Sequence, residues 1–98
     1  FDLITEALRD TVANQIIDEL LTIAKAGDQT SALKLGKTYT DLLVAPDYQS
    51  AYLWLSIAQA YGLESASELL SQVADELTLE EILVQQEKAS TTFSEINS

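Results

Sequence analysis

The sequence predicts an all-α fold of about five helices, and three observations support this prediction. The chain of 98 residues contains only three Gly and one Pro, so few residues interrupt a helix. Apolar residues recur at steps of three or four, and no segment shows the alternation that is typical of a half-buried strand. Gly27, Pro46 and Gly62 mark the places where helices end or are linked. With 47% hydrophobic residues, a chain of this length can bury one core.

The first helix is predicted from Asp2 to Ala26. The polar run at residues 9–11 marks a place where this helix could divide in two, and Gly27 suits a left-handed helix end. Its buried stripe is expected to consist of Ile4, Leu8, Val12, Ile16, Leu20 and Ile23.

A second helix follows, for which Asp28, Thr30 and Ser31 are each suitable N-terminal caps. Its inner face is expected to contain Leu35, Gly36, Tyr39 and either Leu42 or Leu43. Its outer face is expected to contain Lys34, Lys37, Thr38 and Asp41. Glycine in mid-helix costs about 1 kcal/mol relative to alanine, so Gly36 predicts the close approach of a neighbouring helix.

Pro46 and Asp47 predict a loop near residues 43–47 and a third helix that runs to about Tyr61. This third helix is apolar on most of its circumference, so we expect it to pack on several sides. Trp54 and most tyrosines are expected to fill the core, whereas Tyr52 is the tyrosine most suited to reach a partner.

A fourth helix has the expected inner stripe Ala66, Leu69, Leu70, Val73 and Leu77, with Glu68, Ser71, Gln72 and Asp75 facing outward. Thr78 and Glu81 fit a capping box at the start of a closing helix over residues 78–90. The expected buried residues of this helix are Leu79, Ile82, Leu83, Gln86 and Ala89. The polar residues 91–98 are expected to form a flexible tail.

The helix-ending glycines indicate an internal repeat, since Gly62 lies 35 positions after Gly27. This spacing is typical of solenoids that are built from stacked antiparallel helix hairpins. One unit contains Ala32, Leu35-Gly36, Tyr39, Asp47, Ala51, Trp54, Ala58, Gly62, Ala66 and Leu69. In this pattern the chain resembles the Sel-one-like repeat, a relative of the tetratricopeptide repeat.

The resemblance implies a single repeat domain over residues 1–90 that forms a right-handed superhelix of helix hairpins. One full repeat would cover residues 30–63, with partial repeats on either side. The chain departs from the family at Leu42-Leu43-Val44, where the family usually has Gly-x-Gly. We expect an apolar contact of this loop in place of the glycine turn.

The resemblance also implies a non-catalytic adaptor whose concave surface binds proteins or peptides. The residues that would face a partner are Lys34, Lys37, Thr38, Asp41, Glu68, Ser71, Gln72 and Asp75. The alternative is that these residues form an ordinary solvated face. A short array also exposes its terminal apolar stripes, so a homodimer through the end helices is a further expectation.

The charge of the chain narrows the class of partner. Sixteen acidic and five basic residues give a net charge of −11, which disfavours binding to nucleic acid or anionic lipid. An acidic inhibitor or decoy that covers a basic surface on its target is therefore the second hypothesis. The longest stretch without charged residues, from Tyr48 to Leu63, is shorter than the ~20 residues that span a membrane.

The residue types also restrict catalysis. The chain has no His and no Cys, which excludes Ser-His-Asp and Cys-His sites and the usual zinc sites. Three carboxylate pairs leave a carboxylate–metal enzyme as the least favoured hypothesis: Asp18-Glu19, Asp75-Glu76 and Glu80-Glu81. Adjacent helix positions point about 100° apart, so we expect no catalytic, metal or cofactor site. Because the chain begins with Phe1 and lacks Met, we expect a processed or truncated product, and exported and cytoplasmic locations both stay open.

Overall fold

The computed structural model describes residues 2–97 and confirms the all-α prediction for that part of the chain. It contains five helices and no strand among these residues. They are α1 (Asp2–Lys25), α2 (Gln29–Asp41), α3 (Tyr48–Ala60), α4 (Glu64–Ala74) and α5 (Leu79–Ile96).

The predicted glycine turns end two of these helices. Gly27, with φ +106°, follows α1, and Gly62, with φ +91°, follows α3. Both values lie in the left-handed region, which glycine adopts without the steric cost that other residues meet. The two helix ends are therefore fixed by local sequence.

Three helix starts are capped as predicted. The side chain of Asp28 accepts from the backbone N–H of Ser31 at 3.1 Å, and that of Asp47 accepts from the N–H of Ser50 at 3.1 Å. At the start of α5 the capping box is complete, because Thr78 Oγ1 accepts from the Glu81 N–H and Glu81 Oε1 accepts from the Thr78 N–H. These bonds satisfy backbone donors that a helix leaves free at its first turn.

The third helix lies at the centre of the packing. Helix α3 packs against α2, α4 and α5, while α1 packs against α2, and α2 and α4 touch only marginally. The largest fully buried side chains are Leu35, Leu55 and Ile57, and Trp54 is also buried. The prediction of a third helix packed on several sides is thus confirmed, as is the core position of Trp54.

Gly36 of α2 lies directly against the side chain of Leu55 on α3. A Cβ atom added to Gly36 would overlap Cγ and Cδ2 of Leu55 and lie 3.2 Å from its Cδ1. The side chain of Leu55 is only 1% exposed, so it fills the space that glycine leaves. The prediction that a neighbouring helix requires this glycine is confirmed.

The buried face of α1 differs from the prediction. The buried residues are Ala13, Ile17 and Ala24, whereas four members of the predicted stripe are exposed: Ile4 (67%), Leu8 (62%), Val12 (52%) and Ile23 (48%). The helix has apolar residues on two adjoining faces, and the face with two alanines packs on α2 because small side chains allow close approach.

The polar residues near the middle of α1 do not divide the helix, and instead they hold the loop after α2. Arg9 Nε donates to the Leu42 carbonyl at 2.9 Å and Arg9 Nη2 donates to the Asp41 carbonyl at 2.8 Å. Asp10 Oδ1 accepts from the Val44 N–H at 2.9 Å.

These three bonds change the interpretation of the Leu42-Leu43-Val44 loop. Only Leu43 packs against the core, while Leu42 and Val44 are exposed. The expected apolar contact is therefore limited to one residue. The hydrogen bonds of Arg9 and Asp10 on α1, which we call the polar clamp, hold the rest of the loop.

The last helix is longer than predicted, since α5 continues to Ile96 rather than ending near residue 90. The ring of Phe93 lies 5.1 Å from that of Tyr61, centroid to centroid, and this contact anchors the segment that we expected to be a tail. The buried face also differs, because Gln85 and Ala89 are buried while Leu79, Leu83 and Gln86 are exposed.

Candidate functional site

A groove between α2 and α4 is the candidate site. It encloses about 230 Å³ where the C-terminal ends of both helices meet the first residue of α3. Its apolar side consists of Tyr48, Leu55, Leu69 and Val73, and its polar side consists of Thr40, Asp41, Gln72 and Glu76.

The two sides of the groove differ in exposure. Leu55 and Val73 are buried and form a rigid floor, with Leu69 and Tyr48 half-buried beside them. Asp41, Gln72 and Glu76 are exposed at the rim. A ligand would therefore meet an apolar floor and an acidic rim.

The electrostatics of this groove favour a cation. Asp41 is the last residue of α2, and Glu76 follows the end of α4, so both carboxylates lie near the negative ends of helix dipoles. Neither helix has a basic residue in its last turn. Within residues 2–97, neither carboxylate forms an ion pair.

Arg9 offsets part of this negative potential. Its guanidinium donates to the carbonyls of Asp41 and Leu42, which are the last acceptors of α2. Its donors bind main-chain oxygens and leave the carboxylates free of direct charge pairing. The last turn of α4 itself contains no basic residue, so Glu76 adds its charge to a helix end that its own last turn does not compensate.

The groove brings together two of the eight predicted partner-binding residues, Asp41 and Gln72. The other exposed members lie outside its lining, on the outer sides of α2 and α4: Lys34, Lys37, Glu68, Ser71 and Asp75. Whether they contact a partner stays a prediction.

The exposed position predicted for Thr38 is wrong. Its side chain is only 6% exposed, and its Oγ1 donates to the Lys34 carbonyl at 2.8 Å. Thr38 follows buried Leu35 by three positions and buried Ser31 by seven, which places all three on one helix face.

The sequence prediction missed Tyr48 and Glu76 as groove residues. Glu76 lies four positions after Gln72, the spacing of neighbours on a helix face, and this signal could have identified it. No local pattern could have identified Tyr48, because its place in the groove depends on how α3 starts beside α2.

A second cavity of about 330 Å³ lies between α3 and α5, and its lining contains no charged residue. Tyr52 lines it but is buried, and its hydroxyl accepts from Gln86 Nε2 at 3.0 Å. Tyr52 therefore does not reach outward, contrary to the prediction. Its polar end is already satisfied within the fold.

Two groups outside the groove have shifted pKa values. Burial raises the pKa of Tyr39, and the nearby carboxylates of Asp47 and Asp18 raise it further. The backbone and side chain of Thr78, with a smaller effect of Gln49, lower the pKa of Glu81. Both shifts follow from packing and capping.

Within residues 2–97, no group of three or more carboxylates converges in a way that could hold a metal ion. No helix in that range combines the length and the apolar character needed to cross a bilayer.

Comparisons with protein families, with curated proteins and with solved structures give no match for this chain. The resemblance to the Sel-one-like repeat therefore rests on the residues quoted above and stays a prediction. The helices and the groove are the observations from which a function is inferred.

Proposed function

We propose that this protein is a non-catalytic protein-interaction module that binds a basic segment of a partner in the groove between α2 and α4. The observation that supports this proposal is the pair of carboxylates, Asp41 and Glu76, above an apolar floor. The repeat resemblance supports it independently, because it implies an adaptor with helix-lined binding surfaces.

The size and chemistry of the groove favour a single Arg or Lys side chain. Small-molecule sites usually enclose about 300–1,000 Å³, and this cavity is smaller, at about 230 Å³. The alkyl stem of Arg or Lys would cover Leu69 and Val73, while its charged end would meet Asp41 and Glu76. The ring of Tyr48 would provide a further surface for the cation.

Two carboxylates fit a side-chain cation better than a metal ion. Calcium takes six to eight oxygen ligands, and magnesium demands octahedral coordination. An Arg guanidinium instead pairs with a carboxylate through two parallel hydrogen bonds, so two carboxylates are enough.

The experiment is a titration of the ¹⁵N-labelled protein with N-acetyl-arginine amide, followed by NMR. N-acetyl-citrulline amide is the matched control probe, because citrulline has nearly the shape of arginine without its charge. We expect shifts of amide signals around Asp41, Tyr48, Gln72 and Glu76 with the arginine probe only. Equal shifts with both probes, or shifts elsewhere, would contradict the proposal.

Two double variants test whether the charges act locally. Asp41→Asn with Glu76→Gln removes two charges from the groove and should abolish the arginine response. Glu68→Gln with Asp75→Asn removes two charges from exposed positions outside the groove lining and should leave it intact. Both proteins have the same net charge, so a difference between them isolates the groove.

The second candidate function is an acidic decoy that covers a basic surface of its target. The net charge of −11 favours it, because such a charge attracts any basic surface over a distance set by the salt concentration. It predicts that both double variants lose affinity for a basic protein equally, with a steep dependence on salt. If only the groove variant Asp41→Asn, Glu76→Gln loses affinity for the basic protein, the decoy hypothesis is rejected.

A further inference from the structure

An apolar stripe on α1 has no partner within the described chain. It consists of Ile4, Leu8, Val12 and Ile23, each with about half or more of its side chain exposed. The first three follow at intervals of four, which places them side by side on one helix face. The stripe extends about 28 Å along the helix, since each residue adds about 1.5 Å.

The fold holds this stripe in place without covering it. The buried contacts of α1, through Ala13, Ile17 and Ala24, fix the helix in the core. Arg9 and Asp10 tie its N-terminal half to the loop after α2. The stripe is thus presented on a helix whose orientation is already determined, so a partner does not need to order it.

We propose that this stripe binds an amphipathic helix of another protein, with Lys or Arg residues beside the apolar face of that helix. The stripe is one row of side chains wide, which is the width that a single bound helix covers. A flat interface between two domains would need a wider apolar surface. This surface is separate from the groove between α2 and α4.

Charge identifies the chemistry of the partner. Glu19 is exposed and lies seven positions after Val12, within the stripe. Among residues 4–25, Arg9 and Asp10 are both bound to the loop after α2, and the remaining charged side chains are three acidic ones (Glu6, Asp18 and Glu19) and one basic one (Lys25). A second copy of this chain would oppose a net charge of −11 with the same charge, whereas a basic helix would match it.

The experiment uses three synthetic 18-residue peptides with a fluorescent label, measured by anisotropy in 150 mM salt. The first has a leucine stripe flanked by Lys, the second has the same stripe flanked by Glu, and the third has the first composition in scrambled order. We expect only the first to bind. The Glu peptide tests the charge requirement, and the scrambled peptide tests the apolar stripe.

Variants locate the binding surface. Leu8→Ser with Val12→Ser should weaken binding of the first peptide at least tenfold. Leu83→Ser is the matched control, because Leu83 is an exposed leucine on α5 and its replacement should change nothing. Circular dichroism of each variant verifies that it is folded.

Three results would overturn the inference. The first is binding that the Leu8→Ser, Val12→Ser variant leaves unchanged, or equal binding of the scrambled peptide. The second is loss of peptide binding in the groove variant Asp41→Asn, Glu76→Gln, which would place the peptide in the groove. The third is a dimer in sedimentation analysis that dissociates in the α1 variant, which would assign the stripe to a second copy.

Discussion

Replacement of Gly36 by alanine should destabilise the protein, although alanine is the better helix former. An added Cβ would overlap Cγ and Cδ2 of Leu55, so that buried side chain would have to shift from its place in the core. Leu55 belongs to the central helix α3, so its displacement would disturb contacts in the core. The substitution therefore sets helix propensity against packing.

The magnitude follows from these two opposing terms. Alanine gains roughly 0.5–1 kcal/mol over glycine inside a helix. Insertion of a methyl group into a packed core costs about 1–3 kcal/mol. The net loss in the free energy of unfolding should be roughly 0–2.5 kcal/mol, and the middle of this range is a sizeable part of the stability of a small domain.

The assay is a double-mutant cycle with Leu55→Ala, measured by urea unfolding and circular dichroism. Leu55→Ala removes the atoms that the new Cβ would meet, so Gly36→Ala should stabilise that variant by about 0.5–1 kcal/mol. The coupling energy between the two sites should then be about 1–3 kcal/mol.

Gly27→Ala is the matched control for this cycle. A Cβ at Gly27 would meet nothing within 4 Å, but φ is +106°, so the cost comes from backbone conformation alone. This cost should be on the order of 1 kcal/mol and should be the same with Leu55 or Ala at position 55. If Gly36→Ala stabilises the unmodified protein, or its effect adds to that of Leu55→Ala without coupling, the packing argument fails.

Four further predictions concern pH and the contacts that hold helix ends. Because folding raises the pKa of Tyr39, the stability of the protein should be intact below the unfolded pKa of tyrosine and fall as pH rises above about 10. Urea unfolding should show a smaller fall in Tyr39→Phe, and equal falls in the two proteins would contradict this prediction. Thr78→Ala should cost about 1 kcal/mol in thermal unfolding, because it removes the helix cap; no change would refute the cap's contribution. The Thr78 contacts lower the pKa of Glu81, so the contribution of ionised Glu81 to stability should be present above the unfolded Glu pKa and be lost as pH falls. Glu81→Gln should flatten this acid dependence of stability, and an unchanged pH profile in that variant would refute the prediction. Arg9→Ala should cost about 1–2 kcal/mol by losing two hydrogen bonds, and full stability in this variant would show that these bonds contribute nothing. Arg9→Lys should restore only part of the loss, because an ammonium group does not reproduce the fork of guanidinium donors; full stability of Arg9→Lys would show that this geometry is not required.

Features that depend on near neighbours in the chain could be predicted from the residues alone. The helix class, the caps at Asp28, Asp47 and Thr78, and the glycine helix ends were all predictable, because each depends on residues within one or two helical turns. Gly36 was also predictable, since a glycine in mid-helix is costly unless a neighbouring helix needs the space. These rules do not require knowledge of the fold.

Packing between helices selects one of several alternatives that are equivalent in the local sequence. Helix α1 has two apolar faces, and only its contact with α2 buries the alanine face and leaves the stripe of Ile4, Leu8 and Val12 exposed. The groove joins Asp41 to Glu76, 35 positions apart, and contact with Tyr61 extends α5 through Phe93. Local periodicity identifies apolar and polar faces, whereas the choice among them depends on which elements pack together and how much apolar surface each arrangement removes from water.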